Sequence, residues 1–325
     1  MVKFIVHHVY LIDWLCLLLP CLFIIVAWFI RRRHQRWAAA IGTFSIAALL
    51  TYVYSRYYDA MQLEVRHVEY ASADLPEAFD GYRIVQFSDI HVGSMNGRRQ
   101  ELLRRTVDSI NAQHPDAVVF TGDLLNASAD EAEPHRQLLS TIKAPDGIYS
   151  VLGNHDYAEY IDKSDPAVVN EQLGRSRAIH YELGWHLLCN AWSKIRRDSA
   201  CIVIAGMEND GEGRFPQLGD HNAALYGLGR DVFVVMLEHD PTAWRRRILP
   251  HTHVQLTLSG HTHGGQLNLF GWSPASLRYH EHDGMYYVGE RALNVSKGVG
   301  GVIPFRLGAK GEIVVITLKS KKVKQ

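Results

Sequence analysis

Five short apolar runs in this chain end alike, in Asp, Asn or His. Ile84-Val85-Gln86-Phe87 leads to Asp89 and His91, and Ala117 to Thr121 leads to Gly122-Asp123. Gly147 to Leu152 leads to Gly153-Asn154-His155-Asp156, Asp231 to Leu237 leads to His239, and Leu256 to Ser259 leads to Gly260-His261-Thr262-His263. Each run reads as a buried strand. Helical patterns separate the first three. One spans Gly97 to Gln113, with Leu102, Leu103, Thr106, Val107 and Ile110 on one face, and the next spans Glu131 to Ile142. Strands alternating with helices predict an α/β fold. Such folds present their chemistry beyond the carboxyl ends of the strands. A single Asp-x-His after a strand is ordinarily a turn and a surface imidazole. Five polar clusters at five strand ends ask for one shared site.

The residue types say what that site holds. Asp and Asn offer oxygen, His offers nitrogen, and one carboxylate can bridge two cations. Two divalent ions clamp both faces of a phosphate ester. A nitrogen and oxygen set without thiolate suits manganese, zinc, iron or cobalt and disfavours an iron–sulfur cluster. Glycines directly precede Asp123, Asn154 and His261 and allow close backbone approach. The 18 His among 325 residues fit a metal protein, and the four Cys include no CxxC. With a hairpin turn near Arg197-Asp198, Cys201 faces about Ile195 rather than Cys189. Both then read as free, buried, small apolar residues.

Ahead of this lies a different kind of chain. Residues 9–30 are almost wholly apolar apart from Asp13 and Pro20, and a second apolar stretch covers about 37–56. Each is long enough to cross a bilayer. Tyr52, Tyr54, Tyr57 and Tyr58 close the second, as interfacial aromatics do. His7 and His8, before the first stretch, are expected at a membrane interface. The two stretches are expected to make a membrane anchor of residues 1–60, followed by one domain over 61–325. Between them stands Arg31-Arg32-Arg33-His34-Gln35-Arg36. Basic loops stay cytoplasmic, so with both stretches spanning, everything after Tyr58 is expected on the extracytoplasmic side. The 34 basic and 34 acidic residues balance, so no nucleic-acid polymer is expected as a partner.

The remaining elements follow the same grammar. Leu63 to Tyr70 is an opening strand and Glu312 to Leu318 a closing one, with a solvated basic tail over Lys319 to Lys324. Pro166 to Tyr181 is helix or loop. Trp185 to Ile195 and Cys201 to Ala205 are strands of a second sheet.

In order, Asp89-Ile90-His91, Gly122-Asp123, Gly153-Asn154-His155-Asp156, His239-Asp240-Pro241 and Gly260-His261-Thr262-His263 resemble the signature of the calcineurin-like metallophosphoesterases. The resemblance covers roughly Leu63 to Leu318. It implies a four-layer αββα sandwich with a binuclear centre at the sheet edges. Asp89, His91, Asp123 and His263 would hold one metal. Asp123, Asn154, His239 and His261 would hold the other, with Asp123 bridging. His155 would act on the leaving oxygen as acid or cation, and a metal-bridging hydroxide would attack phosphorus. Asp156 would orient a neighbouring imidazole from outside the ligand set. Gly-His-Thr-His-Gly-Gly-Gln behind two membrane segments is similar to the small bacterial membrane-associated phosphodiesterase branch. That branch often carries Pro-Pro-Glu before its last strand, where this chain has Ala309-Lys310-Gly311-Glu312. The substrate rim is therefore not legible. The expected substrate is a phosphodiester or phosphoanhydride. A lipid-linked nucleotide pyrophosphate is the alternative, and a metal-supported scaffold without turnover is the alternative of another class.

Several other residues invite a role. Trp185 and Trp192 read as core. His251 and His253 read as surface loop, and His280 and His282 as exposed or as a roof over the site. Arg245-Arg246-Arg247 reads as a solvated helix face. Ser296 and Gly298 read as part of the rim.

Overall fold

The computed structural model describes residues 2–321, with side chains from residue 11 onward except residue 12. The side chains of His7 and His8, and the tail beyond Lys321, lie outside the described residues.

The chain opens with α1 (Val2–Ile30) and α2 (Gln35–Tyr57), both long and apolar enough to cross a membrane. They pack antiparallel across the short Arg31–His34 connection. Asp13, the charge inside the first apolar stretch, has partners. Tyr52 Oη donates to its Oδ1 at 2.5 Å, and the Arg56 guanidinium lies 3.5 Å from Oδ2. A charge in an apolar helix needs such pairing. It places Asp13 beside the domain end of α2.

Among the described residues twelve strands follow: β1 (Leu63–Ser72), β2 (Arg83–Phe87), β3 (Ala117–Phe120), β4 (Ile148–Ser150), β5 (His186–Leu187), β6 (Ala191–Arg197), β7 (Ala200–Gly206), β8 (Phe233–Leu237), β9 (Leu256–Ser259), β10 (Gly284–Val288), β11 (Arg291–Val295) and β12 (Gly311–Ser320). They form two six-stranded sheets, ordered β1-β12-β2-β3-β4-β5 and β10-β11-β9-β8-β7-β6. Within β2, Ile84 faces the second sheet and packs with Val119, Ile204, Val235 and Leu258, while Val85 and Phe87 face outward. The outward face is covered by α3 (Arg99–Ala112) through Leu102, Leu103, Val107 and Ile110, and by Ile179 of α5 (Pro166–Glu182). On the far side, Val203, Val234 and Met236 pack against Trp244 and Ile248. The result is a four-layer αββα sandwich. Strands buried on both faces need apolar residues throughout, which is why β2, β3, β8 and β9 read as continuous runs.

Four expectations change. The helix placed over Glu131–Ile142 is a 3₁₀ segment, Ala129–His135, with a single α turn, α4 (Arg136–Leu139). Pro134 stands inside the segment and brings no N–H to an α-helical ladder. Trp185 to Ile195 is not one strand: its start, β5, edges the first sheet, and β6 edges the second. Asn190 turns the chain between them at φ 50°. Cys201 pairs with Arg196 rather than Ile195, because a two-residue turn at Asp198-Ser199 joins Arg197 to Ala200. Cys189 and Cys201 are free, as expected, but only half-buried.

Candidate metal centre

The carboxyl ends of β2, β3, β4, β8 and β9 converge, and their loops bring the expected donors together. The donor atoms of Asp89, His91, Asp123 and His263 lie within 4.8 Å of one another, and so do those of Asp123, His239 and His261. Asp123 belongs to both groups. Its Oδ2 lies 3.5 Å from His91 Nε2 and 3.3 Å from His239 Nε2. His263 Nε2 stands 3.3 Å from His91 Nε2 and 3.6 Å from Asp89 Oδ1.

These loops are tightly constrained. Asp89, His91, Asp123, His261 and His263 all adopt left-handed backbone, with φ between 51° and 73°. Asp and His tolerate that region better than most residues, yet each such conformation costs roughly 1–3 kcal/mol. Hydrogen bonds hold them there: Asp89 N to Gly122 O at 2.9 Å, His91 N to Asp123 O at 3.2 Å, and His261 N to the Asp89 carboxylate at 3.1 Å. Gly122 is needed between Gly153 and His239. At φ 94° it is itself left-handed, and a Cβ there would meet Gly153 N at 2.6 Å and His239 Nδ1 at 2.7 Å.

Three of the four imidazoles are oriented from behind, while His263 Nδ1 is buried with no hydrogen-bond partner among the described residues. The Nδ1 of His91 faces Leu125 O at 3.1 Å, and the Nδ1 of His239 faces Thr121 O at 2.7 Å. An Nδ1–H donated to a carbonyl leaves the Nε2 lone pair aimed into the site. His261 is reversed. Its Nε2 faces Tyr279 Oη at 2.9 Å and Asp240 Oδ2 at 3.4 Å, while Nδ1 faces inward, 3.2 Å from His239 Nε2.

The donor set fits a pair of divalent cations. Asn154 donates Nδ2–H to Tyr160 Oη at 2.9 Å, and its Oδ1 is buried with no hydrogen-bond partner. A buried carbonyl oxygen without a donor is costly, and a cation beside Asp123 would satisfy it. Burial holds His91 down near 3 and His261 near 4, so both are neutral, as ligands must be. Burial lowers His263 as well, and His91 lowers it further. Burial also opposes a charge on His239, but the Asp123 carboxylate outweighs it and raises that imidazole to about 10. A metal ion binding beside Asp123 would displace that proton.

His155 contacts the ligands without joining either group. Its backbone N–H donates to Asp123 Oδ1 at 2.9 Å, its Nδ1 faces Asn126 O at 2.6 Å, and its ring stacks on Tyr160 at 4.1 Å. Asp156 behaves differently from the expectation. Among the described residues its carboxylate meets no imidazole. It accepts the backbone N–H groups of Gly153, Asp123, Leu124 and Leu125. It thereby ties the loops after β3 and β4 together.

Tyr160, Tyr279, Asp240, Phe215, Arg214 and Arg278 also belong here. Only Asp240 carried a signal, its place beside His239. Phe215 packs perpendicular to His261 with ring centroids 4.8 Å apart, and Arg278 lies over both Phe215 and Tyr279 at 5.1 and 5.3 Å. Arg214 stands over Phe215 at 5.9 Å. The other residues that invited a role resolve simply. Trp185 is core, packed on Phe87 and Phe120, and Trp192 donates to Tyr226 O. His251 stacks on His221 at the surface. His280 is exposed beside Glu281, and the carbonyl of His282 accepts from Thr262 Oγ1 in the ligand loop. Arg245, Arg246 and Arg247 are not a freely solvated face, because they pair with Glu281 and Asp210. Ser296 and Gly298 lie beneath the site rather than on its rim, with Gly298 packed against Asp89. Glu312, in the segment that departs from Pro-Pro-Glu, is buried and paired with Arg66 and Lys297.

Comparison with known proteins agrees with this geometry. A family model described as calcineurin-like phosphoesterase matches residues 82–265. The uncharacterized metallophosphoesterase YkuE of Bacillus subtilis is 32% identical over 300 residues, covering 89% of this chain and 98% of that protein. A transmembrane protein with metallophosphoesterase domain from Danio rerio is 32% identical over 304 residues, 89% of this chain and 66% of that one. The UDP-2,3-diacylglucosamine pyrophosphatase LpxG of Chlamydia trachomatis is 32% identical over 136 residues, 41% of this chain and 40% of that protein. Apolar helices α1 and α2, together with a relative named as a transmembrane protein, point to membrane association. The family's members are phosphohydrolases that use divalent metals, and with its model matched across all five strand-end clusters this chain belongs to the calcineurin-like phosphoesterases.

Proposed function

We propose that this chain is a membrane-anchored phosphohydrolase with a binuclear metal centre, acting on a phosphodiester or phosphoanhydride at the bilayer surface. The observation that carries the reading is the pair of donor groups sharing Asp123, with the unpartnered Asn154 Oδ1 beside them. Asp89, His91, Asp123 and His263 would hold one ion, and Asp123, Asn154, His239 and His261 the other. Manganese, zinc or iron suits this set. When bound, the ions would supply positive charge to phosphoryl oxygens and lower the pKa of water.

The chain's own residues do the rest. Tyr160 fixes the Asn154 amide so that its oxygen points inward, and Tyr279 with Asp240 fixes His261. His155, anchored through Nδ1, keeps Nε2 free to give a proton to a leaving oxygen. Residues 1–60 would form the anchor and 61–325 the catalytic domain. Arg31, Arg32 and Arg33 between the helices support an extracytoplasmic domain on a bacterial inner membrane.

A second reading, pyrophosphate cleavage in a lipid-linked nucleotide, is favoured by Arg214 and Arg278. Two guanidiniums over Phe215, the ring packed against His261, suit a second phosphate group. The relative LpxG, named a pyrophosphatase, supports it too.

The test is turnover by the full chain in detergent, loaded with manganese or zinc, against model diesters and lipid-linked pyrophosphates. Turnover should vanish on chelation and return on metal addition. Asp89→Asn and His155→Ala should each lower kcat by at least about 100-fold. A biological effect that survives both substitutions would instead favour a metal-supported scaffold.

A further inference from the structure

An uncharged apolar hairpin lies beside the metal centre and next to the end of α2. From Gln266 to Leu277 the sequence contains no charged side chain. Leu269 and Trp272 exchange backbone hydrogen bonds at 2.9 and 3.0 Å, which makes a tight turn with Phe270 at its tip. Phe270 is fully exposed, Leu277 is 79% exposed, and Leu269 and Trp272 are each nearly half exposed. Water-soluble surfaces seldom gather large apolar residues in this way.

What stands beside the hairpin identifies its occupant. Asn268 N donates to Leu307 O at 2.8 Å, and Leu307 N donates to Gln266 O at 2.9 Å. The next residue, Gly308, donates to the buried Asp59 carboxylate at 2.6 Å, and Arg306 N donates to Ser55 O at 3.3 Å. Ser55 belongs to α2 and Asp59 follows it by two residues. Phe270 is three residues from Leu267, a reach of at most about 11 Å. Gly298 to Phe305, on the same loop as Leu307, is uncharged too. Exposed Tyr54, Tyr57 and Tyr58 mark the end of α2 as an interfacial belt. The hairpin therefore continues the surface that the anchor already presents to lipid.

We propose that the Leu269–Trp272 turn, with Leu277, is a second membrane contact that enters the lipid interface beside α2. Buried Arg306 stiffens the connection, donating to the carbonyls of Lys297, Gly300 and Ala309, and Gly298 on that loop packs against Asp89. Seating the hairpin fixes the metal-ligand loops against the lipid surface. An ester on a lipid headgroup could then reach the ligands while its acyl chains stay in the bilayer. The proposal rests on α1 and α2 spanning the membrane.

The test uses the full chain, its native cysteines replaced by alanine, in phosphatidylcholine–phosphatidylglycerol vesicles. A nitrobenzoxadiazole probe is attached after Phe270→Cys, after Leu277→Cys, or after Asp198→Cys. Asp198 lies in the turn feeding β7, at the opposite end of the strands from the site. Lipids carrying a quencher on the acyl chain should dim the probes at 270 and 277 at least about twofold more than the probe at 198. Equal quenching at all three positions overturns the proposal. So does a blue-shifted probe at 270 that lipid quenchers do not reach, because a second copy or another protein then covers the patch. Flotation of the chain with the vesicles reads the anchor separately. A chain that floats with an unquenched probe refutes the hairpin contact alone, and a chain that does not float refutes the anchor and this proposal together.

Discussion

Asp156 offers a sharp test of how the site is held. Its carboxylate is buried and accepts four backbone N–H groups. Oδ2 takes those of Asp123 at 2.9 Å, Gly153 at 2.9 Å and Leu124 at 3.3 Å, and Oδ1 takes that of Leu125 at 3.0 Å. A hydrogen bond to a charged group contributes about 1.5–3 kcal/mol. Four to one carboxylate are not additive, and the cost of burying the charge offsets part of the gain. Asp156→Ala should therefore cost about 3–5 kcal/mol, a large share of a typical domain's stability. For a domain of this size that is a fall in Tm of about 10 °C. Asp156→Asn keeps an oxygen where three donors converge but turns an NH2 toward Leu125 N–H. Its cost should be about 1–3 kcal/mol. Metal affinity should fall about 10- to 100-fold in the Ala variant, because Asp123, Asn154 and His155 all ride on the loops that Asp156 ties. The assay is thermal unfolding of the full chain in detergent, with and without chelator, beside a metal titration. An Ala variant that melts within about 2 °C of the parent would refute the reasoning. So would an Asn variant as damaged as the Ala one.

Two further outcomes are expected. His180 is fully buried, and burial lowers it to about 3 from an unfolded value near 6.5. Below pH 6.5 the unfolded chain therefore takes up a proton that the folded chain refuses, and stability falls as pH drops toward 3. The loss is about 2 kcal/mol at pH 5. His180→Gln should flatten that limb in denaturant titrations at stepped pH, and an unchanged slope would count against this assignment. Arg278→Ala combined with Arg214→Ala should lower kcat/KM for a pyrophosphate substrate about tenfold or more and for a singly charged diester far less. Equal losses on both substrates would remove the argument for a second phosphate.

The candidate metal ligands were legible because each follows a strand buried on both faces. The apolar run announces the strand, and the loop that follows carries Asp, Asn or His. The partners that orient them were not. Tyr160 and Tyr279 come from irregular loops, where no periodicity marks a position, and Arg278 reads alone as one surface cation. Asp156 was visible beside His155, but sequence could not tell that its acceptors would serve backbone N–H groups. That depends on the loops after β3 and β4 meeting in space. The split of Trp185–Ile195 between two sheets was hidden because apolar content does not say which sheet a strand joins. Asp13 read as an interruption until α2 brought Tyr52 and Arg56 beside it.

The order of the first sheet has a consequence in time. Strand β1 follows closely after α2, yet its one neighbour in the sheet is β12, and the register joins Leu63 to Gly311. Almost 250 residues separate those two positions. At about 5–20 residues per second, a ribosome needs roughly 12–50 s to make that stretch. Through that interval β1 is without its one sheet neighbour, and on the proposed anchor it would wait at the membrane surface. β12 then closes the sheet by sliding between β1 and β2, parallel to the first and antiparallel to the second. The loop tied to α2 directly precedes β12. Docking of that loop on α2 and completion of the sheet are therefore expected as one late event.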